Sequence, residues 1–190
     1  MGEEHFKIRS TDMKQRAFSL TLLILLAAAG TAQGGDEATV MVGIPHATQV
    51  DETTLTGGQP DDEQFGALRE QGVKTVVNLR SSGEMDNGHQ ADLLASLGML
   101  NIHIPVAGSE DLTREALSAF DRAVAAAGDE PALYHCASGN RVGALFALRA
   151  GLLQGKSREV AMEIGRDHGM TSLAESVESL LEAGELPEAD

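Results

Sequence analysis

The chain's one cysteine, Cys136, and an arginine five positions later, Arg141, share the stretch LYHCASGNRVGAL, residues 133–145. A thiolate attacks electrophilic centres, and a guanidinium holds an oxyanion through two parallel hydrogen bonds, so the pair could carry out group transfer. Between them stand Ala137, Ser138, Gly139 and Asn140, and Gly139 permits a positive φ and a close backbone approach to a ligand. An apolar run precedes Cys136 and another follows Arg141. Read as strand, turn and helix, the turn aims several backbone N–H groups at one point above the helix start. Those amides make an anion-binding loop, and they favour a thiolate at Cys136 for the same electrostatic reason. One turn then supplies the nucleophile and the cradle for the group it attacks.

The surrounding pattern predicts the elements that position this turn. Residues 54–60 read as a short strand ending in a turn, and residues 60–72 as a helix with Pro60 and three acids in its first turn and Gly72 at its end. Residues 74–80 (KTVVNLR) form a β-branched strand, residues 89–98 a short helix, and residues 100–106 an alternating strand. Residues 113–128 repeat apolar positions at helical spacing, with Leu117, Phe120 and Val124 on one face. Strand 131–135, the cysteine turn and the apolar helix 142–155 follow, then two amphipathic helices near 157–168 and 172–182. Strands alternating with helices predict an α/β domain whose short, mostly parallel sheet is covered on both faces. The cysteine turn falls at the carboxyl end of a strand, where open α/β sheets bind ligands.

The chain has 190 residues, 42% of them hydrophobic, and a formal net charge of −15. That charge excludes nucleic acid or an anionic membrane as the main partner. A small anionic substrate or a phosphoprotein must therefore be held by a local field that opposes the global one. Lys14 and Arg16 precede the apolar run LTLLILLAAA (20–29) and the small residues Gly30, Thr31 and Ala32, the pattern of a secretory leader over residues 1–32. That run is about half of the ~20 residues a membrane span needs, so no stable span is expected. Either Met1 or Met13 is the start. The expected protein is exported, periplasmic or secreted, with a linker over residues 33–53, a catalytic domain over 54–183 and a solvated tail over 184–190. The six histidines show no metal-ligand spacing, so no metal and no cofactor is expected. Asp86, His89 and Asp92 sit three apart at a helix start and read as capping.

Three segments, TGGQPDDEQFGALREQGVKTVVNLR, IHIPV and LYHCASGNRVGALFALRAG, together resemble the phosphatase-like domain of beta-lactamase hydrolase-like proteins, within the protein tyrosine phosphatase superfamily. The resemblance covers about residues 50–170. It implies a three-layer fold of the dual-specificity-phosphatase type, with Cys136 as nucleophile and Arg141 as anion clamp. It also implies that His135 orients the loop by hydrogen bonds, without transferring a proton.

The sequence departs from the superfamily pattern in three places. Four residues separate Cys136 from Arg141, the rhodanese spacing, where the superfamily has five. Val142 replaces the Ser or Thr that usually follows the arginine. Ala107 and Gly108 occupy the place of the general-acid Asp, which leaves Glu110 or Asp111 of the same loop as acid candidates. Arg80 ends a strand on the same side and is a candidate to line the cleft. Three readings stay open: hydrolysis of phosphate esters through a phosphocysteine, sulfur transfer through a Cys136 persulfide, and an anion-binding or redox module without turnover.

Overall fold

The computed structural model describes residues 43–85 and 88–189. Within them a five-stranded sheet has the order β1-β2-β5-β3-β4. The strands are β1 (Thr48–Gln49), β2 (Thr54–Gly57), β3 (Thr75–Asn78), β4 (Leu100–His103) and β5 (Ala132–His135). β1 runs antiparallel to β2 and every other pair is parallel. The helices are α1 (Asp62–Glu70), α2 (His89–Ser96), α3 (Arg114–Ala127), α4 (Asn140–Leu148), α5 (Arg158–Asp167) and α6 (Ala174–Ala183). This is the expected α/β three-layer fold.

Strand alternation divides the core between the two faces of the sheet. Val76 and Leu133 pack with Phe65 and Leu68 of α1 and Leu94 of α2. Val77 and Tyr134, one residue on, pack with Phe120 of α3 and Phe146 of α4. Phe120, Tyr134 and Phe146 meet edge to face with ring centroids 4.9 to 5.8 Å apart, which concentrates the few aromatic rings in one cluster. β5 is central and buried throughout, so its last residue, His135, faces α1 while Cys136 belongs to the α3–α4 side.

α4 crosses α5 at backbone distance. A Cβ on Gly143 would lie 2.3 Å from the Gly165 carbonyl oxygen and from the Met170 amide nitrogen, so no side chain fits. This crossing fixes the start of α4, and with it the cysteine turn, against the segment that follows α5.

The domain extends further at both ends than the sequence pattern suggested. Residues 43–53, the described part of the expected linker, hold β1 and the buried Ile44. Asp51 closes the β1–β2 turn by accepting from the Thr53 and Thr54 amides. The strand escaped notice because two residues are too few to show a period. The expected tail is also attached: Leu186 is buried, and the Arg114 amide donates to the Pro187 carbonyl at 3.0 Å. Its one apolar side chain, set among acids, gave no repeat to read. The expected leader, residues 1–32, lies outside the described residues. No helix among the described residues is long and apolar enough to cross a membrane.

Candidate active site

Parallel strands place the segments after β2, β3, β4 and β5 along one edge of the sheet, and the site is built from these segments. β5 ends at His135, which lies in register between Gly57 of β2 and Asn78 of β3. Cys136 follows it and is fully buried, with its amide bonded to the Gly57 carbonyl at 3.3 Å. Ser138 bridges to Gly58, and Gly139 caps α4 with φ +86°, a conformation glycine adopts without a Cβ penalty. The Gly139 amide donates to Cys136 Sγ at 3.1 Å. The thiol therefore sits at the helix start with one loop amide directed at its sulfur.

Asn140 has a different task from the one expected of an anion-loop residue. Its side-chain oxygen accepts from the Thr171 amide at 2.7 Å and its nitrogen donates to Ser172 Oγ at 2.8 Å. Its side chain thus ties the loop to the segment after α5. Ala137 and Ser138 are exposed at the loop's rim.

Arg141 is buried and charged, and its five N–H donors can be accounted for in part. Nη1 donates to Glu84 Oε2 at 2.7 Å and to the Val106 carbonyl at 2.6 Å, and Nη2 donates to Glu84 Oε1 at 2.8 Å. Three donors are thereby spent on holding the side chain, and the other two, the Nε–H and one Nη2–H, form a second parallel fork, with Cys136 a hydrogen-bonding neighbour of the guanidinium. Glu84 raises the Arg141 pKa above its ordinary value, and Cys136 contributes in the same direction. Glu84 was missed at the sequence level. Its one signal was the Ser81-x-x-Glu84 spacing, and its carboxylate does accept from the Ser81 amide and hydroxyl at 2.8 Å.

His135 is buried on the other face of the strand, where burial pushes its pKa down to about 3. Gln90 Nε2 lies 3.1 Å from His135 Nε2, and Gln90 Oε1 accepts from Arg80 Nη2 at 3.2 Å and from Gln59 Nε2 at 3.1 Å. These partners assign the imidazole proton to Nδ1, which faces the Cys136 carbonyl at 3.4 Å. His135 thus orients the loop as a neutral ring. Arg80 is not a surface arginine: it is 8% exposed, and its bond to Gln90 ties it through one amide to His135. Gln90 looked like an ordinary helix residue, and only the packing of α2 against the strand ends gives it this role.

Glu110 and Asp111 stand in the loop after β4, whose Val106 carbonyl accepts from Arg141. They occupy a short 3₁₀ turn, and Asp111 Oδ2 accepts from the Ala107 amide at 2.6 Å. Both line a groove of about 440 Å³ with Pro105, Thr113, Glu115 and Glu188, to which no residue of the 136–141 loop contributes. His89 pairs with Asp62 of α1 at 2.8 Å, and Asp86 lies outside the described residues. Among the described residues no cluster of His, Cys, Asp and Glu could hold a metal ion.

Two of these groups make folding depend on pH. Folded His135 refuses a proton that the unfolded chain accepts near pH 6.5, so its contribution is intact above that value and falls away toward pH 3. The hydrogen bonds from Arg141 hold the Glu84 pKa down to about 2 from 4.5, which adds a second loss from about pH 4.5 downward. Melting temperature should therefore decline continuously from about pH 6.5 to 3. Glu84→Gln should remove the lower limb of that profile and leave the upper one. A flat profile between pH 7 and pH 4 would contradict a neutral, buried His135.

The β1-β2-β5-β3-β4 sheet, a buried cysteine at a helix start and a clamped arginine fit a phosphatase-like domain of the protein tyrosine phosphatase superfamily, with the four-residue Cys-to-Arg spacing as its departure. The chain belongs to the family described as DSP-PTPase phosphatase fused to NAD+ kinase, whose model matches residues 43–180. A beta-lactamase hydrolase-like protein of Xylella fastidiosa (strain Temecula1) is 31% identical over 124 residues, 63% of this chain and 28% of that protein. The chain thus spans less than a third of the length of that relative. The crystal structure of a DUF442 protein from Shewanella putrefaciens CN-32 is 27% identical with a TM-score of 0.58, covering 75% of this chain and 90% of that one. The core catalytic domain of the PP-IP phosphatase SIW14 from S. cerevisiae shares the fold at 20% identity and a TM-score of 0.59, covering 75% and 88%. The resemblance read from the three sequence segments is thereby borne out.

Proposed function

We propose that this chain hydrolyses phosphate monoesters through a phosphocysteine at Cys136. The observation that carries the reading is the disposition of donors around one sulfur. Gly139 N–H reaches Cys136 Sγ, while Glu84 and Val106 hold Arg141 by three donors and leave an Nε–Nη2 fork for two non-bridging phosphoryl oxygens. In the first step the Cys136 thiolate attacks phosphorus, the P–O bond breaks, and the ester oxygen leaves, taking a proton from solvent or a nearby acid. In the second, water attacks phosphorus, the P–S bond breaks, and phosphate and thiolate are regenerated. The loop amides and Arg141 meet the charge that builds on the oxygens in both transition states. A small phosphorylated molecule or a phosphoprotein fits the chemistry.

Sulfur transfer is the second reading. Four residues separate Cys136 from Arg141, and Ala107 and Gly108 stand where the superfamily's acid is expected. Sulfite leaves thiosulfate without a proton, so that reaction needs no acid. A paired assay of the same preparation decides between them. Aryl phosphate should be hydrolysed at a rate well above thiosulfate-to-cyanide transfer. Sulfur transfer in a protein that leaves phosphate esters intact would overturn the phosphatase reading.

A further inference from the structure

The anion loop borders a second cavity, about 320 Å³, lined by His46, Ala47, Thr48, Ser138, Gly169 and Thr171. Ser138 belongs to the loop between Cys136 and Arg141, so the cavity opens beside that loop. The polar side chains around it are hydroxyls and one imidazole, with no carboxylate among them. In a chain of net charge −15 that is a local exception, and the groove holding Glu110, Asp111, Glu115 and Glu188 is its opposite. An anionic substrate is repelled by the second and admitted by the first.

His46 is fixed here at a conformational cost. Ala47 N–H donates to the Ile44 carbonyl at 3.3 Å, with Pro45 and His46 as the central residues of the turn. Pro at the second position with positive φ at the third is the type II pattern, in which glycine or asparagine fits best. His46 has φ +52° and is the one non-glycine residue with positive φ among those described. The turn is locked onto the anion loop through Gly58, whose amide donates to the Pro45 carbonyl at 2.7 Å. A Cβ on Gly58 would come within 2.9 Å of Pro45 and 2.7 Å of the Ala137 carbonyl, so the turn and the loop are in contact across it. Buried Ile44 anchors the turn on its other side.

We propose that His46 is the proton donor to the leaving group and that the alcohol portion of the substrate occupies this cavity. The inference rests on the phosphatase reading above. As Cys136 Sγ bonds to phosphorus and the P–O bond breaks, protonated His46 gives its proton to the departing oxygen. Neutral His46 then takes a proton from the attacking water as the P–S bond breaks, which restores both groups. The cavity's volume lies at the small end of ligand sites and suits a single alcohol or one phosphorylated side chain.

The test is a leaving-group series on the full-length protein, from nitrophenyl through phenyl to alkyl phosphate, for the parent, His46→Gly and His46→Asn. Both replacements suit a left-handed turn position, so melting temperature should be kept or raised. Both should slow phenyl and alkyl phosphates by about 10²- to 10⁴-fold and change nitrophenyl phosphate little. Added imidazole should restore part of the lost rate in His46→Gly. An active parent whose leaving-group dependence is unchanged in the variants overturns the proposal and leaves the phosphatase reading standing. So does an equal loss for every ester, or a rise in KM alone. A parent that hydrolyses none of the esters overturns both.

Discussion

Replacing Cys136 with serine is expected to leave a folded protein whose phosphatase turnover falls by about 10⁴-fold or more, because the attacking atom is lost while the rest of the site stays in place. The side chain is fully buried in the α3–α4 core, so a larger or charged substitute would disturb packing. Serine does not: it is slightly smaller, and its hydroxyl inherits the Gly139 N–H that now points at Sγ from 3.1 Å. A satisfied buried hydroxyl costs little, so the change in stability should stay within roughly 1 kcal/mol. The chemistry is different, since a serine hydroxyl remains protonated near neutral pH, and among the described residues no carboxylate or imidazole is hydrogen-bonded to Sγ as a base. Steady-state kinetics on an aryl phosphate, with thermal melting as the folding control, measures both quantities. Retention of even a few per cent of parental kcat would remove Cys136 as nucleophile.

Arg141→Lys should lose about 10²- to 10³-fold in kcat/KM, because a point charge cannot present two parallel donors to two oxygens. Unlike the serine variant, it should also melt at a lower temperature. Arg141 now satisfies both oxygens of Glu84 and the Val106 carbonyl, and a lysine ammonium cannot reproduce that three-way geometry. The two substitutions thus separate by their side effects: one removes chemistry alone, the other chemistry and a strut of the fold. Near-parental kcat/KM in Arg141→Lys would contradict the clamp. An unchanged melting temperature would contradict the structural half of its role.

The Glu84 contact shows why only part of the site was legible in the sequence. Cys136, Gly139 and Arg141 lie within six residues, and their roles follow from local geometry: a strand end, a positive φ and a helix start. Residue order alone therefore identified them. Glu84 reaches Arg141 across 57 positions and Gln90 reaches His135 across 45, and such pairs exist only because parallel strands bring the segments after β3 and β5 to one edge. Arg80 illustrates the same limit from the other direction, since a strand-end arginine looks alike whether it faces solvent or packs beneath a helix.

What the sequence determined by itself was the periodic and the local: the alternation of strands and helices, their near-boundaries, the three-layer class, and the placing of Cys136 and Arg141 in one strand-to-helix turn. Each rests on interactions within a few residues, where backbone geometry and side-chain spacing leave little freedom. The tertiary structure decided the rest. It paired β1 with β2, buried Leu186 in the core, assigned Glu84 to Arg141, turned Asn140 into a tether, and bonded Asp111 to the Ala107 amide. It also brought the Pro45–His46 turn against Ala137 and Ser138, more than ninety residues away along the chain. Those placements depend on sheet order and on the close α4–α5 crossing, which arise from the packing of the whole chain and leave no mark on any one segment.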